Sequence, residues 1–541
     1  MRPYLTAHTP ADARRYYAAG NWKADTLIGI LARHAREQPD LPALTDPDLR
    51  FTWAEMLMAV QRVAGWLVER DIADGEPMMV QMRNCSMFAI TNVAASAVGA
   101  PLILVPVSAR SQELGRIAER VQARFFITDA ARRGPVDFDA TMAERGVNVF
   151  GDKELVIRAT ATTTPTWRVE DATGDADRIL DLMFTSGTTG LPKGILNTTN
   201  SKLSGLRPFL DVYALDRTYP WLVLPPMSHN GGWLYSYLAA LVSGAHAVFQ
   251  ERFEPATTLA LIREHEIAAV FFTPTHCRDV LAHVRESGVA AISTLRYVFV
   301  GAAHTPVELK RAAMNQLGVE PISLYGSTEN QAVTLARPGR RVEDLDESVG
   351  SVCPGMELAA FGGADRRTRL TAGEIGEIGS RGPGLFAGYY DDQLATNQSF
   401  NRDGWFFAGD VGYVDETGNL HLRGRSKELI IRGGRNITPD DVEAALGTHP
   451  DIAAVCAVSL PDERLGERVC AVIISRRPTL KLADLVSHVT AGGHSAALRP
   501  EAMFVVDRFE YTDTGKVRRL LLQQLAVQAL ADGRVEIVNE G

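Results

Sequence analysis

Cysteine is scarce in this sequence, and closely spaced cysteine pairs are absent. Only five of the 541 residues are cysteine, and no two of them form a C-x-x-C motif: Cys85, Cys277, Cys353, Cys456 and Cys470. Structural zinc sites commonly use C-x-x-C pairs, and a disulfide framework commonly uses an even number of cysteines. The sequence therefore predicts buried, reduced thiols, and we expect the protein to be cytoplasmic.

Long runs of positive charge are also absent. Lysine and arginine number 56 against 65 acidic residues, which gives a formal net charge of −9 and a pI near 5.8. Binding to nucleic acid or to an anionic membrane surface usually requires a basic patch. We therefore expect no nucleic-acid partner and no polybasic membrane anchor, so that any anionic ligand must be bound by local groups.

A single uncharged stretch, FAITNVAASAVGAPLILVPV at residues 88–107, has the length of a membrane span. Polar Asn92 and Ser96 interrupt it, and Gly99–Pro101 introduces a turn. We interpret the stretch as a buried helix, a turn and a strand of an α/β core. These interruptions argue against a membrane span. The N-terminal segment has no apolar region followed by a small-residue cleavage site, so we also expect no secretory signal.

The chain is too long for one hydrophobic core, and its patterning changes along its length. Helix-like and strand-like segments alternate in the first third and again after residue 194, and a capping box at Thr52–Glu55 opens one of the helices. From Gly350, short segments separated by Gly, Asp and Asn predict hairpins and a small barrel. From about Lys427, the segments suit a compact α+β domain.

We therefore predict an α/β protein with two domains. The large N-terminal domain, residues 1–426, would contain two parallel-type sheets with helices and the small β-barrel. The small C-terminal domain, residues 427–541, would be of the α+β class. The sequence has no Pro- or Ser-rich linker, so the boundary between the domains must be a short hinge.

The segment FTSGTTGLPKG, residues 184–194, follows an apolar run, ILDLMF, that predicts a strand. Glycines let the backbone approach a ligand, and successive N–H groups in such a loop form an anion-binding nest. The segment is not a Walker A loop, because that motif places its lysine directly after the second glycine. A phosphate-binding loop is one interpretation, and a surface turn rich in Gly and Thr is the other.

Five motifs, in this order, resemble those of the adenylate-forming enzymes, the superfamily of acyl- and aryl-CoA ligases, peptide-synthetase adenylation domains and beetle luciferases. They are TSGTTGLPKG at 185–194, YGSTE at 325–329, GWFFAGDVGYVD at 404–415, GRSKELIIRGGRNI at 424–437 and TDTGKVRR at 512–519. Upstream of these motifs, ARRYYAAGNW is similar to the opening of aryl-acid-activating members. Overall, the chain most resembles the acyl- and aryl-CoA ligases.

The resemblance implies ATP, Mg²⁺ and CoA as cofactors and assigns a role to each motif. Glu329 would hold Mg²⁺, Thr328 would contact the α-phosphate, and Asp410 would bind the ribose hydroxyls. Arg425 would be the second contact to the ribose and the phosphates. The other implied ATP-binding residues are Thr185, Ser186, Gly187, Thr188, Thr189, Gly190, Lys193, Tyr325 and Gly326.

Lys516 is the implied catalytic lysine, which would bridge the carboxylate and the α-phosphate during adenylation. Lys427 matches the hinge about which the small C-terminal domain, a mobile lid, would rotate between two half-reactions. Rotation would present Lys516 to ATP and later remove it, so that a thiol can enter. Gly433 and Gly434 would line the thiol tunnel.

Each of these polar residues also has a structural interpretation. Without the resemblance, Lys516 is typical of a solvated surface lysine. Glu329 could cap a helix that begins after YGST, and Asp410 could close a hairpin turn.

The segment LPPMSHNGGW, residues 224–233, lies where members of the family begin the helix of the substrate pocket. The resemblance places His229 and Asn230 beside the acid, although His229 could equally be structural. Amino-acid-activating members usually carry an aspartate at the second position, where it pairs with the substrate ammonium. Asn230 therefore argues against an α-amino acid.

The residues after Asn230 depart from the dihydroxybenzoate enzymes, whose tyrosine and serine are missing here. Gly231, Gly232 and Tyr235 stand nearby instead. We expect the two glycines to free volume and the pocket to accept a bulky alicyclic, aryl or polycyclic acid. Its far walls would lie near Phe272 and Gly301.

These expectations describe an acyl- or aryl-CoA synthetase, an acid–thiol ligase. Attack of a carboxylate on ATP would give an acyl-adenylate and pyrophosphate, and a thiol would then displace AMP. One alternative is a free-standing adenylation enzyme that loads the phosphopantetheine arm of a carrier protein; the missing fused carrier domain favours CoA. The other is a catalytically silent nucleotide-binding or scaffold protein, against which Glu329, Asp410, Arg425 and Lys516 together argue.

Overall fold

The computed structural model describes residues 8–72, 75–129, 142–185, 193–288, 294–363, 365–426, 428–432, 435–512 and 515–537. The chain divides into two units. The large unit comprises Met1–Leu358 and Ser380–Phe406, and the small unit comprises Ala359–Gly379 and Phe407–Gly541. The small unit thus includes residues that precede the expected hinge, and the domain boundary after residue 426 stays a prediction.

A nine-stranded sheet runs through the large unit. Its six central strands pair in parallel, whereas the strands at its two ends pair antiparallel. Leu222, Val270 and Val298 on central strands are completely buried, as expected for parallel strands covered on both faces. In spatial order the strands are Ser351–Val352, Gln331–Leu335, Pro321–Ser327, Tyr297–Val300, Ala269–Phe272, Trp221–Val223, Ala247–Phe249, Pro42–Thr45 and Arg50–Thr52.

The large unit contains a second sheet, of seven strands. In spatial order they are Gly388–Tyr389, Lys193–Thr198, Ile179–Thr185, Leu102–Leu104, Met78–Gln81, Phe125–Thr128 and Asn148–Gly151. The last five pair in parallel and the first three antiparallel. The predicted α/β class is confirmed, but both sheets are mixed, because antiparallel strands are added at their ends.

Helices of the large unit separate most of these strands in sequence. They are Pro10–Ala18, Leu27–Glu37, Trp53–Val68, Ser86–Ala97, Ser111–Val121, Asp152–Ala159, Thr199–Val212, Asn230–Gly232, Ala239–Ser243, Pro255–Glu264, Pro274–Ser287, Val307–Leu317 and Gln393–Gln398, with one-turn 3₁₀ helices at Val169–Asp171 and Val342–Asp344. The capping box predicted at Thr52 and Glu55 is confirmed, and it opens the Trp53–Val68 helix. That helix buries Val60, Val63 and Ala64 completely.

The uncharged stretch at residues 88–107 forms part of this core. The helix Ser86–Ala97 is followed by Gly99 with φ of 76° and by the strand Leu102–Leu104, as predicted. Over the described ranges, no helix is both long and apolar enough to cross a membrane.

The helix expected to begin at LPPMSHNGGW continues as a π-helix, Trp233–Leu238, and then as the α-helix Ala239–Ser243. The hydroxyl of Ser236 donates to the carbonyl of Gly231, five residues earlier, at 2.8 Å. The indole N–H of Trp233 donates to a buried carboxylate, Asp181, at 2.9 Å. These tertiary and side-chain contacts favour the wider turn, which periodicity does not reveal.

The described residues of the small unit form two sheets and three helices. A five-stranded sheet, most of it in this unit, has the order Thr368–Arg369, Glu357–Gly362, Gly376–Arg381, Phe406–Val414 and Leu420–Arg425. A second sheet has the order Arg435–Ile437, Ile430–Arg432, Gly466–Ser475, Ala502–Val505 and Glu536–Ile537, with Ile452–Asp462 also pairing with Gly466–Ser475. The helices are Pro439–Gly447, Leu482–Ala491 and Arg519–Ala531, beside a 3₁₀ turn at Ala496–Leu498.

Candidate active site

Four predicted site residues, Tyr325, Gly326, Thr328 and Glu329, lie on one strand and the turn that follows it. The strand Pro321–Ser327 pairs antiparallel with Gln331–Leu335. A Cβ at Gly326 would lie 1.5 Å from the carbonyl oxygen of Gln331, so only glycine fits there. Gln331 itself has φ of 52°, a left-handed conformation that is costly for a side chain other than glycine. The turn is therefore held in a specific, strained form.

The carboxylate of Glu329 is held on both of its oxygens. The hydroxyl of Ser327 donates to Oε2 at 2.8 Å, and the hydroxyl of Tyr389 donates to Oε1 at 3.0 Å. The backbone N–H of Phe386 donates to the carbonyl of Glu329 at 2.7 Å. Because a strand rather than a helix follows this turn, the helix-cap interpretation of Glu329 is wrong.

The hydrogen bonds to Glu329 leave its carboxylate able to bind a Mg²⁺ ion that is held mainly by substrate phosphates. Each carboxylate oxygen accepts one hydroxyl donor and keeps lone pairs for a metal. Mg²⁺ is commonly bound through one or two carboxylates together with phosphate oxygens and water. In the described parts of the chain, no group of three or more His, Cys, Asp or Glu side chains forms a metal site by itself.

Tyr389, whose hydroxyl group donates to Glu329, also contacts Lys193. Its Nζ is 4.5 Å from the centre of the Tyr389 ring, in a cation–π contact. The strand that begins at Lys193 pairs antiparallel with Ile179–Thr185, so the predicted strand before the phosphate loop is confirmed. The backbone of Thr185 ends that strand. The implied phosphate-binding residues Ser186, Gly187, Thr188, Thr189 and Gly190 lie outside the described residues.

The predicted acid-pocket residues lie at the beginning of the π-helix segment. His229 precedes the one-turn helix Asn230–Gly232, and Asn230 and Gly231 are both partly exposed. The amide of Asn230 donates to Oε1 of Gln331 at 3.0 Å. The structure therefore brings the predicted pocket segment and the 325–329 motif together within the large unit.

The expectation that the two glycines free volume is wrong. A Cβ at Gly232 would lie 2.1 Å from the carbonyl oxygen of Pro225, and one at Gly231 would lie 3.2 Å from the ring of Phe271. Both glycines permit close packing, which fills the space that a missing side chain would leave. Sequence alone does not distinguish a glycine that opens a pocket from one that lets two segments approach.

Phe271, rather than Phe272, lies beside Gly301. A Cβ at Gly301 would lie 3.0 Å from the Phe271 ring, which also stacks on Tyr235 with ring centres 5.8 Å apart. Phe272 is completely buried in the hydrophobic core. Successive residues on a strand point to opposite faces, and the sequence offered no signal for which phenylalanine faces which side.

A buried ion pair that sequence reasoning missed lies behind Asn230. Nζ of Lys202 is 2.6 Å from Oδ1 of Asn230 and 3.4 Å from Oδ2 of Asp181. Both charged side chains are completely buried. Burial raises the pKa of Asp181 and lowers the pKa of Lys202, while their mutual attraction opposes both shifts. The aspartate within the apolar run ILDLMF was the available signal.

In the small unit, Asp410 and Arg425 face each other across a hairpin. Their Cα atoms are partners in the pairing of Phe406–Val414 with Leu420–Arg425, and Nε of Arg425 is 3.1 Å from Oδ1 of Asp410. Asp410 is buried, whereas Arg425 is half-exposed. Because Asp410 lies within a strand, the turn-closing interpretation is wrong.

Lys516 lies in an exposed turn of the small unit. Its backbone N–H donates to Oγ1 of Thr512 at 3.1 Å, and its carbonyl accepts from the N–H of Thr512 at 2.8 Å. Three residues later, Arg519 is paired with Asp440 and Glu443 and anchors the following helix. The predicted hinge residue Lys427 and the predicted tunnel residues Gly433 and Gly434 lie outside the described residues.

Comparison with known proteins agrees with this arrangement. Residues 31–390 match the family model described as AMP-binding enzyme, and residues 441–516 match that of the AMP-binding enzyme C-terminal domain. The chain is 29% identical to a medium-chain fatty-acid–CoA ligase of Escherichia coli, over 97% of this chain and 94% of the relative. It is also 29% identical to a Mycobacterium tuberculosis protein named 3-[(3aS,4S,7aS)-7a-methyl-1,5-dioxo-octahydro-1H-inden-4-yl]propanoyl:CoA ligase, over 92% of this chain and 99% of that protein.

A solved structure shares the fold. The o-succinylbenzoate coenzyme A synthetase MenE from Bacillus subtilis, in complex with ATP and magnesium ion, superimposes with a TM-score of 0.79. The two sequences are 24% identical, and the superposition covers 91% of this chain and 98% of MenE. The α/β large unit, the smaller C-terminal part and the family models lead to one conclusion: the chain belongs to the AMP-binding enzymes and is an adenylate-forming acid–thiol ligase of the acyl- and aryl-CoA class.

Proposed function

We propose that this enzyme converts an apolar, ring-containing carboxylic acid and ATP into an acyl-adenylate and then transfers the acyl group to the thiol of CoA. The observation that carries the proposal is the meeting of two motifs in the large unit. The carboxylate of Glu329 is fixed by Ser327 and Tyr389, and the pocket residue Asn230 is bonded to the same turn through Gln331. An acid beside Asn230 therefore lies near the residues proposed to bind the α-phosphate and Mg²⁺.

In the first half-reaction, a carboxylate oxygen of the acid attacks the α-phosphorus of ATP, and the bond to the β-phosphate oxygen breaks. Two anions must approach each other, so catalysis depends on positioning and on compensation of negative charge. Glu329 would hold Mg²⁺, which neutralises phosphate charge when bound. Thr328 would contact the α-phosphate, and Lys193 and the 185–190 loop would bind the phosphates that leave as pyrophosphate.

The small unit would supply the remaining groups. Asp410 would accept hydrogen bonds from the ribose hydroxyls while Arg425, which already pairs with it, contacts ribose and phosphate. The ammonium group of Lys516 would bridge the acid and the α-phosphate. In the second half-reaction, the thiol sulfur forms a bond to the acyl carbon and AMP leaves. A hinge at Lys427 would move Lys516 away for this step, and Gly433 and Gly434 would border the thiol path.

An apolar ring in the acid is supported by the wall that Phe271 and Tyr235 form beside Gly231. The two rings stack with centres 5.8 Å apart and are only 3% and 4% exposed, so the groups packed behind the pocket segment are apolar. The M. tuberculosis relative is named for a propanoyl group on a fused alicyclic ring system. The buried cation of Lys202 behind Asn230 disfavours a substrate ammonium at this position, which supports the exclusion of α-amino acids.

Acid-dependent exchange of labelled pyrophosphate into ATP tests the first half-reaction. The panel should contain benzoate, cyclohexanecarboxylate, a fused-ring propanoate, octanoate, acetate and phenylalanine at matched concentrations. We expect a ring-containing acid to give the highest kcat/KM, and acetate and phenylalanine to give the lowest. Exchange led by acetate or phenylalanine would refute the proposed acid class, and no exchange with any acid would refute the proposed reaction.

The acceptor is tested separately with the best acid from this panel. We expect AMP-forming thioester synthesis with free CoA to exceed synthesis with a holo carrier protein. Faster loading of the carrier protein would instead establish the free-standing adenylation enzyme, since both acceptors present the same phosphopantetheine thiol.

A further inference from the structure

Five polar side chains close a hydrogen-bonded ring inside the large unit, here called the polar ring: Asp181, Asn197, Lys202, Asn230 and Gln331. Lys202 Nζ lies 2.6 Å from Asn230 Oδ1, Asn230 Nδ2 lies 3.0 Å from Gln331 Oε1, Gln331 Nε2 lies 2.8 Å from Asn197 Oδ1, and Asn197 Nδ2 lies 3.3 Å from Asp181 Oδ1. The 3.4 Å contact between Lys202 and Asp181 closes the ring.

The two charged members give the polar ring one direction. An ammonium group only donates hydrogen bonds, and a carboxylate only accepts them. The carbonyl oxygen of Asn230 must therefore face Lys202, and its NH₂ group must face Gln331. By the same reasoning the NH₂ group of Asn197 must face Asp181. The orientation of three side-chain amides, normally ambiguous by shape alone, follows from one buried ion pair.

Burial makes this arrangement demanding. Asp181, Asn197 and Lys202 are completely buried, and Gln331 is 1% exposed. Removing two charges from water often costs more than their attraction returns, so a buried ion pair by itself is weak support for stability. The indole N–H of Trp233 donates to Asp181 and so joins the ion pair to the π-helix Trp233–Leu238.

The polar ring touches both halves of the proposed reaction centre. Asn230 is its partly exposed member on the pocket segment. On the other side, Nε2 of Gln331 also donates to the carbonyl of Thr328 at 3.0 Å. The left-handed backbone of Gln331 and its close approach to Gly326 leave this side chain little freedom. A change in the direction of the ring would therefore move donors and acceptors at both places.

We propose that Lys202 and Asp181 are positioning residues of the adenylation step. Their opposite charges fix the hydrogen-bond direction around the polar ring and so hold the Asn230 amide and the Thr328 carbonyl in the geometry that receives the acid. This inference rests on the proposed function, since it names the buried residues that position the polar groups of the proposed acid pocket. It predicts that the charges matter to catalysis even where they can be removed without loss of the fold.

The test compares Lys202→Gln with the double variant Asp181→Asn/Lys202→Gln. The single variant leaves the Asp181 charge buried without its partner, so we expect a marked loss of melting temperature. The double variant has no buried charge and keeps polar side chains of similar size, so we expect its melting temperature to recover. Because its amides have no fixed direction, we expect KM for the best acid to remain raised at least tenfold and KM for ATP to change less than twofold.

Lys310→Met is the matched control. Lys310 is also a buried lysine, 1% exposed, but it lies outside the polar ring. It donates to the backbone carbonyls of Asp346 at 2.8 Å and Ser348 at 3.3 Å. We expect this variant to melt at a lower temperature while both KM values stay unchanged. A raised KM for the acid in Lys310→Met would show that general destabilisation suffices, which would overturn the positioning role.

Asn197→Ser provides a second variant that keeps both charges and opens the polar ring away from Asn230. We expect a several-fold increase in KM for the acid, whether or not the double variant folds. A normal KM for the acid in a folded double variant or in Asn197→Ser, beside an active parent enzyme, would overturn this inference alone. An inactive parent enzyme across the acid panel would overturn the proposed function and this inference with it.

Discussion

The hydroxyl group of Tyr389 donates a hydrogen bond to Oε1 of Glu329 at 3.0 Å, while the ring of the same tyrosine lies 4.5 Å from Nζ of Lys193. One side chain thus contacts the proposed Mg²⁺ ligand and Lys193, the cation that follows the proposed phosphate-binding loop. Tyr389 sits on the strand Gly388–Tyr389, which pairs with the strand that begins at Lys193. Sheet pairing therefore fixes the position of Tyr389 relative to the strand that carries Lys193.

Tyr389→Phe should weaken the response to Mg²⁺ without unfolding the protein. The change removes the hydroxyl that orients Glu329 and retains the ring beneath Lys193. Loss of a partner that orients a metal ligand commonly lowers metal affinity by about 10-fold or more. We expect the Mg²⁺ concentration for half-maximal pyrophosphate exchange to rise by about that factor.

Tyr390→Phe is the control for this prediction. Its hydroxyl lies 3.4 Å from the carbonyl oxygen of Arg120 rather than at Glu329. The Mg²⁺ requirement of this variant should match the parent enzyme. If Tyr389→Phe also kept the parent requirement, Glu329 would not be positioned through this hydrogen bond.

Lys516→Ala should separate the two half-reactions. Lys516 is exposed in its turn, so its removal leaves the fold intact. A cation needed only while the acid and ATP combine should lower adenylate formation by about 100-fold or more. Thioester formation from preformed acyl-adenylate and CoA should persist, as measured by rapid-quench assays of each step.

Arg508→Ala removes another exposed positive charge from the small unit and serves as the control. Both half-reactions should proceed normally in this variant. Equal losses in the two half-reactions of Lys516→Ala would mean that the lysine does not act in adenylation specifically.

Arg519→Met should destabilise the small unit strongly. Arg519 pairs with Asp440 at 3.3 Å, with Glu428 at 3.2 Å and with Glu443, and it donates to the carbonyl of Ala457 at 2.7 Å. These side chains are 22% to 36% exposed, so losing the guanidinium should cost more than the ~1 kcal/mol of a surface ion pair and less than the ~3–5 kcal/mol of a fully buried one. Urea unfolding at pH 7 should show a loss of this size in the transition of the small unit.

The same variant should be less destabilised in mild acid. Burial raises the pKa of Glu443, and Arg519 opposes that shift. Without Arg519, the pKa of Glu443 rises further, so the folded state binds a proton that the unfolded state releases. Stability of the variant should therefore fall as pH rises above about 4.5, the ordinary pKa of a glutamate carboxyl group.

Arg534→Met is the control for Arg519→Met. Arg534 pairs with Asp532 at 2.9 Å on an exposed surface, where water screens the charges and an ion pair contributes little to stability. A comparable loss in both variants would contradict the role of burial at Arg519.

His276→Gln should reduce the loss of stability of the protein in mild acid. Burial lowers the pKa of His276 to about 4. Its ring Nδ1 accepts from the backbone N–H of Thr273 at 3.4 Å, and the backbone N–H of His276 donates to Oγ1 of Thr273 at 3.2 Å. Together these two bonds form a capping box. The unfolded chain takes up a proton below about pH 6.5, whereas the folded chain does so only near pH 4.

This histidine therefore stabilises the fold at neutral pH and loses that contribution as pH falls from 6.5 towards 4, by at most about 3 kcal/mol. Glutamine preserves the capping box and does not titrate. We expect chemical unfolding curves of His276→Gln to depend less on pH over this range. His283→Gln, on the same helix, should retain the parent profile, and an unchanged profile in His276→Gln would contradict the assignment.

Local patterns were sufficient for many of the elements. The capping box at Thr52 and Glu55, the apolar run before residue 185 and the turn at Gly99 each involve neighbours in sequence, so residue type and spacing determine them. The same holds for the motif residues Glu329, Asp410 and Arg425, whose identities and order indicated an adenylate-forming enzyme. Their roles remain proposals, but their chemistry was readable from the chain.

The meaning of the pocket residues depended on contacts between distant segments. Gly231 and Gly232 suggested an open pocket, yet Phe271 and Pro225 approach them closely. The strand phase that turns Phe271 towards Gly301 has no signature in the sequence. Packing decides such cases, because glycine serves both open space and close approach.

The sequence alone determined the fold class and the order of the motifs, since hydrophobic periodicity and short-range spacing are properties of the linear chain. Only the tertiary structure decided that Lys202 meets Asp181 and Asn230, and that Tyr389 reaches Glu329. Those pairs come from separate strands and helices whose register brings them together. Their energies depend on burial and distance, which the linear order of residues does not contain.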